Sequence, residues 1–212
     1  MYCIKYIELA FHISSFYFYN NNYLKLMQDA DIRKLLHPYL ERKNRKYKDT
    51  IIVDELDLCS GLSRIDIAVI NGIIHGYEIK SEEDTLNRLP NQISYYNKSL
   101  EKITIATNKS HIKKIDKFVP EWWGLILITD KDKQKRIIEL RQARTNPLLN
   151  NLSLLQILWK NELISVSNKY NIKISCQSNK RKLRESIANC LDTSILSQEV
   201  RTALKSRQNW RS

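Results

Sequence analysis

Glycine and proline are scarce in this 212-residue chain, four of each, which argues against long disordered linkers. Cysteine is equally sparse. Cys3, Cys59, Cys176 and Cys190 show neither zinc-ligand spacing nor a Cys-x-x-Cys pair, so they read as reduced thiols of a cytoplasmic protein. No run of about 18 uncharged apolar residues exists to span a bilayer. The apolar, aromatic start from Met1 to Tyr19 is broken by Lys5, Glu8 and His12 and lacks a small-residue cleavage site, so it does not read as a signal peptide. A glycine-rich phosphate loop is missing too, which leaves nucleotide hydrolysis without its usual cradle.

Acid is also in short supply. Lys and Arg number 35 against 23 Asp and Glu, for a net charge of +12 and a pI near 9.5. That is a common footprint of a nucleic-acid binder. Residues 1–149 carry 24 basic against 19 acidic side chains, whereas residues 150–212 carry 11 against 4. The smaller C-terminal part therefore holds the larger excess.

Hydrophobic periodicity divides the chain into an N-terminal extension (1–27), a core (28–149) and a basic helical C-terminal region (150–212). Residues 28–43 read as a helix, with Ile32, Leu35, Leu36 and Leu40 at helical spacing and Pro38 bending or interrupting it. The basic run from Arg42 to Lys48 could track a phosphate backbone, although short charge runs are more often solvated turns. Strands are expected at 50–56, 64–70 and 73–80, with Asn71-Gly72 marking the last two as an antiparallel hairpin. A helix at 92–100, a strand at 102–107, a helix at 110–118 and a last strand at 124–129 favour parallel crossovers. From Asn150 the strand signals stop, and helices are expected at 152–166, 181–190 and 197–206. The fold class is α/β, an antiparallel hairpin feeding a mixed central sheet flanked by helices, with a C-terminal helical appendage.

Asp66, Glu78 and Lys80 are the residues with chemical potential. Strand alternation puts Glu78 and Lys80 on one face. A two-residue turn would set Asp66 against Tyr77, turning Glu78 away. One extra residue in the connection, or a bulge at Gly76, pairs Asp66 with Glu78 and gathers Ile65, Ile67, Val69, Tyr77 and Ile79 on the other face, so that register is expected. There Asp66 and Glu78 could hold one magnesium ion, or manganese in its place, with Lys80 beside the bound water or phosphate. The plain alternative is a solvated hairpin face with ordinary ion pairs. The histidines are scattered, and His75, opposite Val69, reads as structural. Trp122 and Trp123 read as core packing before a strand.

The order of these elements resembles the PD-(D/E)XK nuclease superfamily, in which an acid, then Asp, then Glu-x-Lys lie on adjoining strands. Ile65 replaces the proline of the name, Glu55 stands in the place of the upstream acid, and Gln92 with Tyr96 matches the Gln-x-x-x-Tyr motif of many relatives. Gly76 to Ser81, Asp84-Thr85-Leu86, Arg88-Leu89-Pro90, Gln92, Trp122-Trp123-Gly124, Leu158-Trp159 and the run Arg201 to Trp210 look like a bacterial branch of that superfamily. The resemblance covers roughly residues 28–212, and Met27-Gln28-Asp29 resembles its usual start. It implies a restriction-endonuclease-like core and a metal-dependent nuclease. Asp66, Glu78 and Glu55 would be metal ligands, Lys80 catalytic, Gln92 and Tyr96 supporting. DNA is the expected substrate, with an RNA-directed defence nuclease and a silent DNA- or protein-binding module as alternatives. Lys180, Arg181, Lys182, Arg201, Lys205 and Arg207 would hold the backbone. One such site cuts one strand, and duplex cleavage often uses two, which points to a homodimer.

Overall fold

A computed structural model describes residues 27–131, 134–174, 178–208 and 210. The expectations for residues 1–26, and for Cys176, lie outside that range. Helix α1 (Asp29–Asn44) starts where Asp31 accepts the Gln28 amide at 3.4 Å and buries Ile32, Leu36 and Leu40 completely. It continues through Pro38, held on both sides of the proline by those buried leucines.

A six-stranded sheet follows in chain order: β1 (Ile51–Leu58), β2 (Ser63–Ile70), β3 (Ile74–Lys80), β4 (Lys102–Thr107), β5 (Gly124–Lys131) and β6 (Gln134–Arg141). Among the first three strands each neighbouring pair, β1 with β2 and β2 with β3, is antiparallel. β3, β4 and β5 are parallel, connected through α2 (Leu89–Ser99) and α3 (Ile112–Phe118), as the strand–helix–strand order implies. β6 corrects the expectation that the strand ending near Thr129 is the last. Gln-Lys-Arg-Ile-Ile-Glu-Leu-Arg carries too much charge to look like a strand, but it pairs along an edge where most of its side chains stay in water.

Both faces of the sheet are covered. α1 packs on Ile67, Val69, Tyr77, Ile79, Ala106, Ile126 and Ile128. On the other face, α2, α3 and the C-terminal helices cover Ile65, Ala68, Ile70, Ile74, Ile105 and Leu125. Ile65 is thus not on the face of Ile67 and Val69, as simple alternation requires. The change of face lies beside an irregularity in the neighbouring strand: between the pairs Asp54↔Ile67 and Leu56↔Ile65, Glu55 of β1 sits in the left-handed region at φ 56°. A buried second face also means that Glu78 and Lys80 do not face solvent.

The C-terminal region is helical, but its first helix is two. α4 (Asn151–Leu155) and α5 (Lys160–Lys169) are divided at Trp159, whose extended backbone caps the second, its N–H donating to Glu162 at 2.6 Å. α6 (Lys180–Cys190) and α7 (Thr193–Ser206) complete the layer. Leu154, Leu163, Leu183, Ile187, Leu196, Val200 and Leu204 join the same apolar cluster as the sheet. Among the described residues no helix is long and apolar enough to cross a membrane.

Candidate functional site

The β2–β3 hairpin has the expected register. Ile70 pairs with Ile74, Val69 with His75, Ala68 with Gly76 and Ile67 with Tyr77, which leaves residues 71–73 as a three-residue connection. Asn71 closes it, accepting the Ile73 N–H on its side chain at 3.2 Å. Gly76 is not a bulge; it is needed because a Cβ there would lie 2.5 Å from Leu100 Cδ1. The ladder ends at Ile67 and Tyr77, one residue short of Asp66 and Glu78.

α2 converts this strand end into an enclosed polar network. Glu78 and Lys80 are almost fully buried, at 1% and 3% exposure, and Lys80 Nζ donates to Glu78 Oε1. The Gln92 amide donates to the same oxygen at 2.6 Å, and the Tyr96 hydroxyl donates to Oε2 at 2.6 Å while lying 2.7 Å from the Arg64 carbonyl. The spacing of Gln92 and Tyr96 on one helical face is what brings both onto Glu78. Asp66 accepts the Ile79 N–H at 2.6 Å. Burial first, and the Glu78 charge second, push the Asp66 carboxyl up to about 8, against the Ile79 N–H and Lys80. Burial and then the Glu78 carboxylate also raise the Tyr96 hydroxyl well above the ordinary phenol range, so it stays a donor.

Arg33, which no motif singled out, reaches into the mouth of this network from α1. Its guanidinium lies 3.3 Å from Asp29, 3.0 Å from Asp54, 2.9 Å from Glu55 and 3.7 Å from Asp66 Oδ1, and it donates to the Asp66 carbonyl at 2.7 Å. Burial alone would lower its pKa; Asp29, Asp54 and Asp66 outweigh that and raise it. Glu55 is also held at 3.4 Å by Arg64. The residues expected to take magnesium do not fit that role in this arrangement. Both Glu78 oxygens are engaged, one Asp66 oxygen serves the main chain, and Glu55 is already neutralised by a guanidinium. Among the described residues no three His, Cys, Asp or Glu side chains are grouped to hold an ion. What the arrangement does is anchor α1 and α2 to the strand ends through satisfied, charge-balanced contacts.

His75, opposite Val69, is structural. It stacks on Tyr77 at 4.3 Å and bonds Thr104 at 2.8 Å, and desolvation pushes it down to about 3, so it stays neutral. Trp123 is fully buried and donates to Asn97 at 2.9 Å.

The six cations expected to grip a backbone fall into two sets. Arg201 pairs with Glu101 at 2.6 Å, Lys205 with Asp49 at 2.5 Å, and Arg207 with Glu162 at 2.6 Å. The Arg207 guanidinium also stacks between Trp159 and Trp210, 4.3 Å and 5.0 Å from the ring centroids. These three fasten α7 to the body. Lys180, Arg181 and Lys182 instead stand exposed on the first turn of α6. Only Arg181 of those three has an ion pair among the described residues, with Glu185 in the next turn at 2.8 Å. Sequence reasoning missed Arg33, whose partners lie up to 33 positions away. It also missed Arg184, although its spacing of four from Lys180 was legible.

Comparison with known proteins corrects the nuclease expectation. The family model described as Bacteriophage P4 protein cII matches residues 25–212. A curated relative, "Protein cII" of Enterobacteria phage P4, is 27% identical over 183 residues, covering 86% of this chain and 69% of that protein. No solved structure matches. These findings overturn the assignment to the PD-(D/E)XK superfamily, and with it the nuclease, endonuclease and hydrolase activity, for which they give no support. The acid–Glu-x-Lys order that suggested it is present, but it recurs by chance and here builds a polar network whose carboxylates are engaged by neighbouring side chains and main chain. The chain belongs to the bacteriophage P4 protein cII family.

Proposed function

We propose that this chain is a regulatory protein of a phage or phage-derived element that works by binding nucleic acid, DNA first among the candidates. The observation that carries this reading is the unbalanced basic turn at the start of α6. Lys180, Arg181 and Lys182 occupy a helix N-terminus whose first turn holds no acid. The helix dipole disfavours cations there, so helix stability does not explain them. An anion does: phosphate is favoured at a helix N-terminus, and three basic side chains add to that field. The net charge of +12 supplies long-range attraction for the same partner. Family membership is consistent with a regulatory role, and the neutralised pocket acids leave the basic surface as the feature best suited to a polyanion.

The test is a fluorescence-anisotropy titration of the full chain against labelled duplex DNA, single-stranded DNA and RNA over a range of salt. Binding of at least one of them, with the logarithm of affinity falling linearly with the logarithm of salt, is expected. No binding of any of the three at low salt removes the proposal.

A further inference from the structure

The α6 cations continue into a cleft that none of the comparisons assigns. A space of about 500 Å³ opens between α6, the β1–β2 hairpin and the segment around Trp159. Lys180 and Arg184, one helical turn apart, line it from one side, Arg64 from the other, with Trp159 and Trp210 between. Arg184 is the distinctive member. Its Nε is buried and bonds to nothing among the described residues. Burial lowers its pKa with no carboxylate to offset the effect. A half-buried guanidinium left unpaired beside an open space is costly unless something arrives to pair with it.

The facing acids are already engaged. Asp54 pairs with Arg33, and Glu55 and Asp57 pair with Arg64. Trp159 remains 37% exposed even with Arg207 against its ring. Arg64 also lines the neighbouring opening above Asp66, so the two spaces share a wall.

We infer that this cleft receives a single-stranded stretch of nucleic acid, with a phosphate on Lys180 and Arg184 and an unstacked base against Trp159. The inference rests on the nucleic-acid reading above and narrows it. A guanidinium fork matches phosphate oxygens, and an exposed indole offers a sequence-tolerant platform for an unstacked base, whose face a duplex keeps covered by its neighbours.

The experiment compares a labelled single-stranded oligonucleotide, the same sequence as duplex, and a mononucleotide, using the full chain and the variants Arg184→Gln and Trp159→Ala. Arg184 makes no ion pair or hydrogen bond among the described residues, so its substitution removes no contact that holds the fold; Lys180→Glu, at an exposed position, is the second variant for the same wall. The single strand is expected to bind about tenfold or more tighter than the duplex; Arg184→Gln and Trp159→Ala are each expected to weaken it about tenfold while leaving duplex binding nearly unchanged, and Lys180→Glu to weaken both. Duplex binding equal to or tighter than the single strand, with single-strand binding indifferent to Arg184→Gln and Trp159→Ala, overturns the cleft but leaves the nucleic-acid reading intact. Loss of every nucleic acid overturns both, and a mononucleotide bound as tightly as the strand replaces a strand-binding cleft with a small-molecule one.

Discussion

Charge is handled in two opposite ways in this molecule. In the pocket under α2, and along α7, cations are drawn inside or against the body and matched by carboxylates: Lys80 with Glu78, Arg33 with Asp54 and Glu55, Arg201 with Glu101, Arg207 with Glu162. On α6, Lys180 and Lys182 stand in water and no ion pair among the described residues engages them. A paired, buried charge fixes geometry and projects little field; an unpaired, exposed one does the reverse. The basic excess of the C-terminal region is therefore not all available to a partner, and the residues that carry the outward field are concentrated at one helix end.

The largest expected effect breaks the paired side of this contrast. Lys80→Met would leave Glu78 buried without its counter-charge and should cost about 3–5 kcal/mol in chemical denaturation. A loss under about 1 kcal/mol would show that the network is not charge-balanced as described. Arg207→Ala removes a guanidinium from a pair only 5% and 11% exposed, and should cost about 3 kcal/mol.

Asp66 sharpens the contrast through pH. Its carboxyl is raised in the fold to about 8, so the neutral form is the one the fold favours. The associated stability is complete below the unfolded carboxylate range and is lost as pH rises through 8. The wild-type melting temperature should fall between pH 5 and pH 8.5, and Asp66→Asn should flatten that fall; a wild-type profile without slope would contradict the burial of this group. The smallest effect on stability belongs to the exposed side. Lys180→Glu with Lys182→Glu should shift stability by no more than about 0.5 kcal/mol, while making the salt dependence of nucleic-acid binding shallower by about two contacts.

Much of the fold is legible in the residues. Asn71-Gly72, with apolar alternation on both sides, announced the β2–β3 hairpin, and the wish to keep polar and apolar faces apart selected the three-residue connection that the structure has. Alternation failed at Ile65, which lies in the other layer beside a backbone state that no residue pattern advertised, Glu55 at φ 56° on the neighbouring strand. β6 escaped because an edge strand need bury little, and the break at Trp159 because leucines run through both helices around it.

The candidate site teaches a similar lesson. Asp66, Glu78, Lys80, Gln92 and Tyr96 do come together, as their spacing implied. Their meaning changed because Arg33 and α2 closed over them, and because the family comparison points away from hydrolysis. Spacing along strands and helices obeys periods of two and 3.6, so the sequence by itself determined which side chains share a face, the hairpin register and the size of the basic excess. Which cations would be neutralised, which face would be covered, and where an unpaired guanidinium would meet an open cleft depended on contacts between residues tens of positions apart. Only the tertiary structure decided those, because no local period encodes a long-range partner.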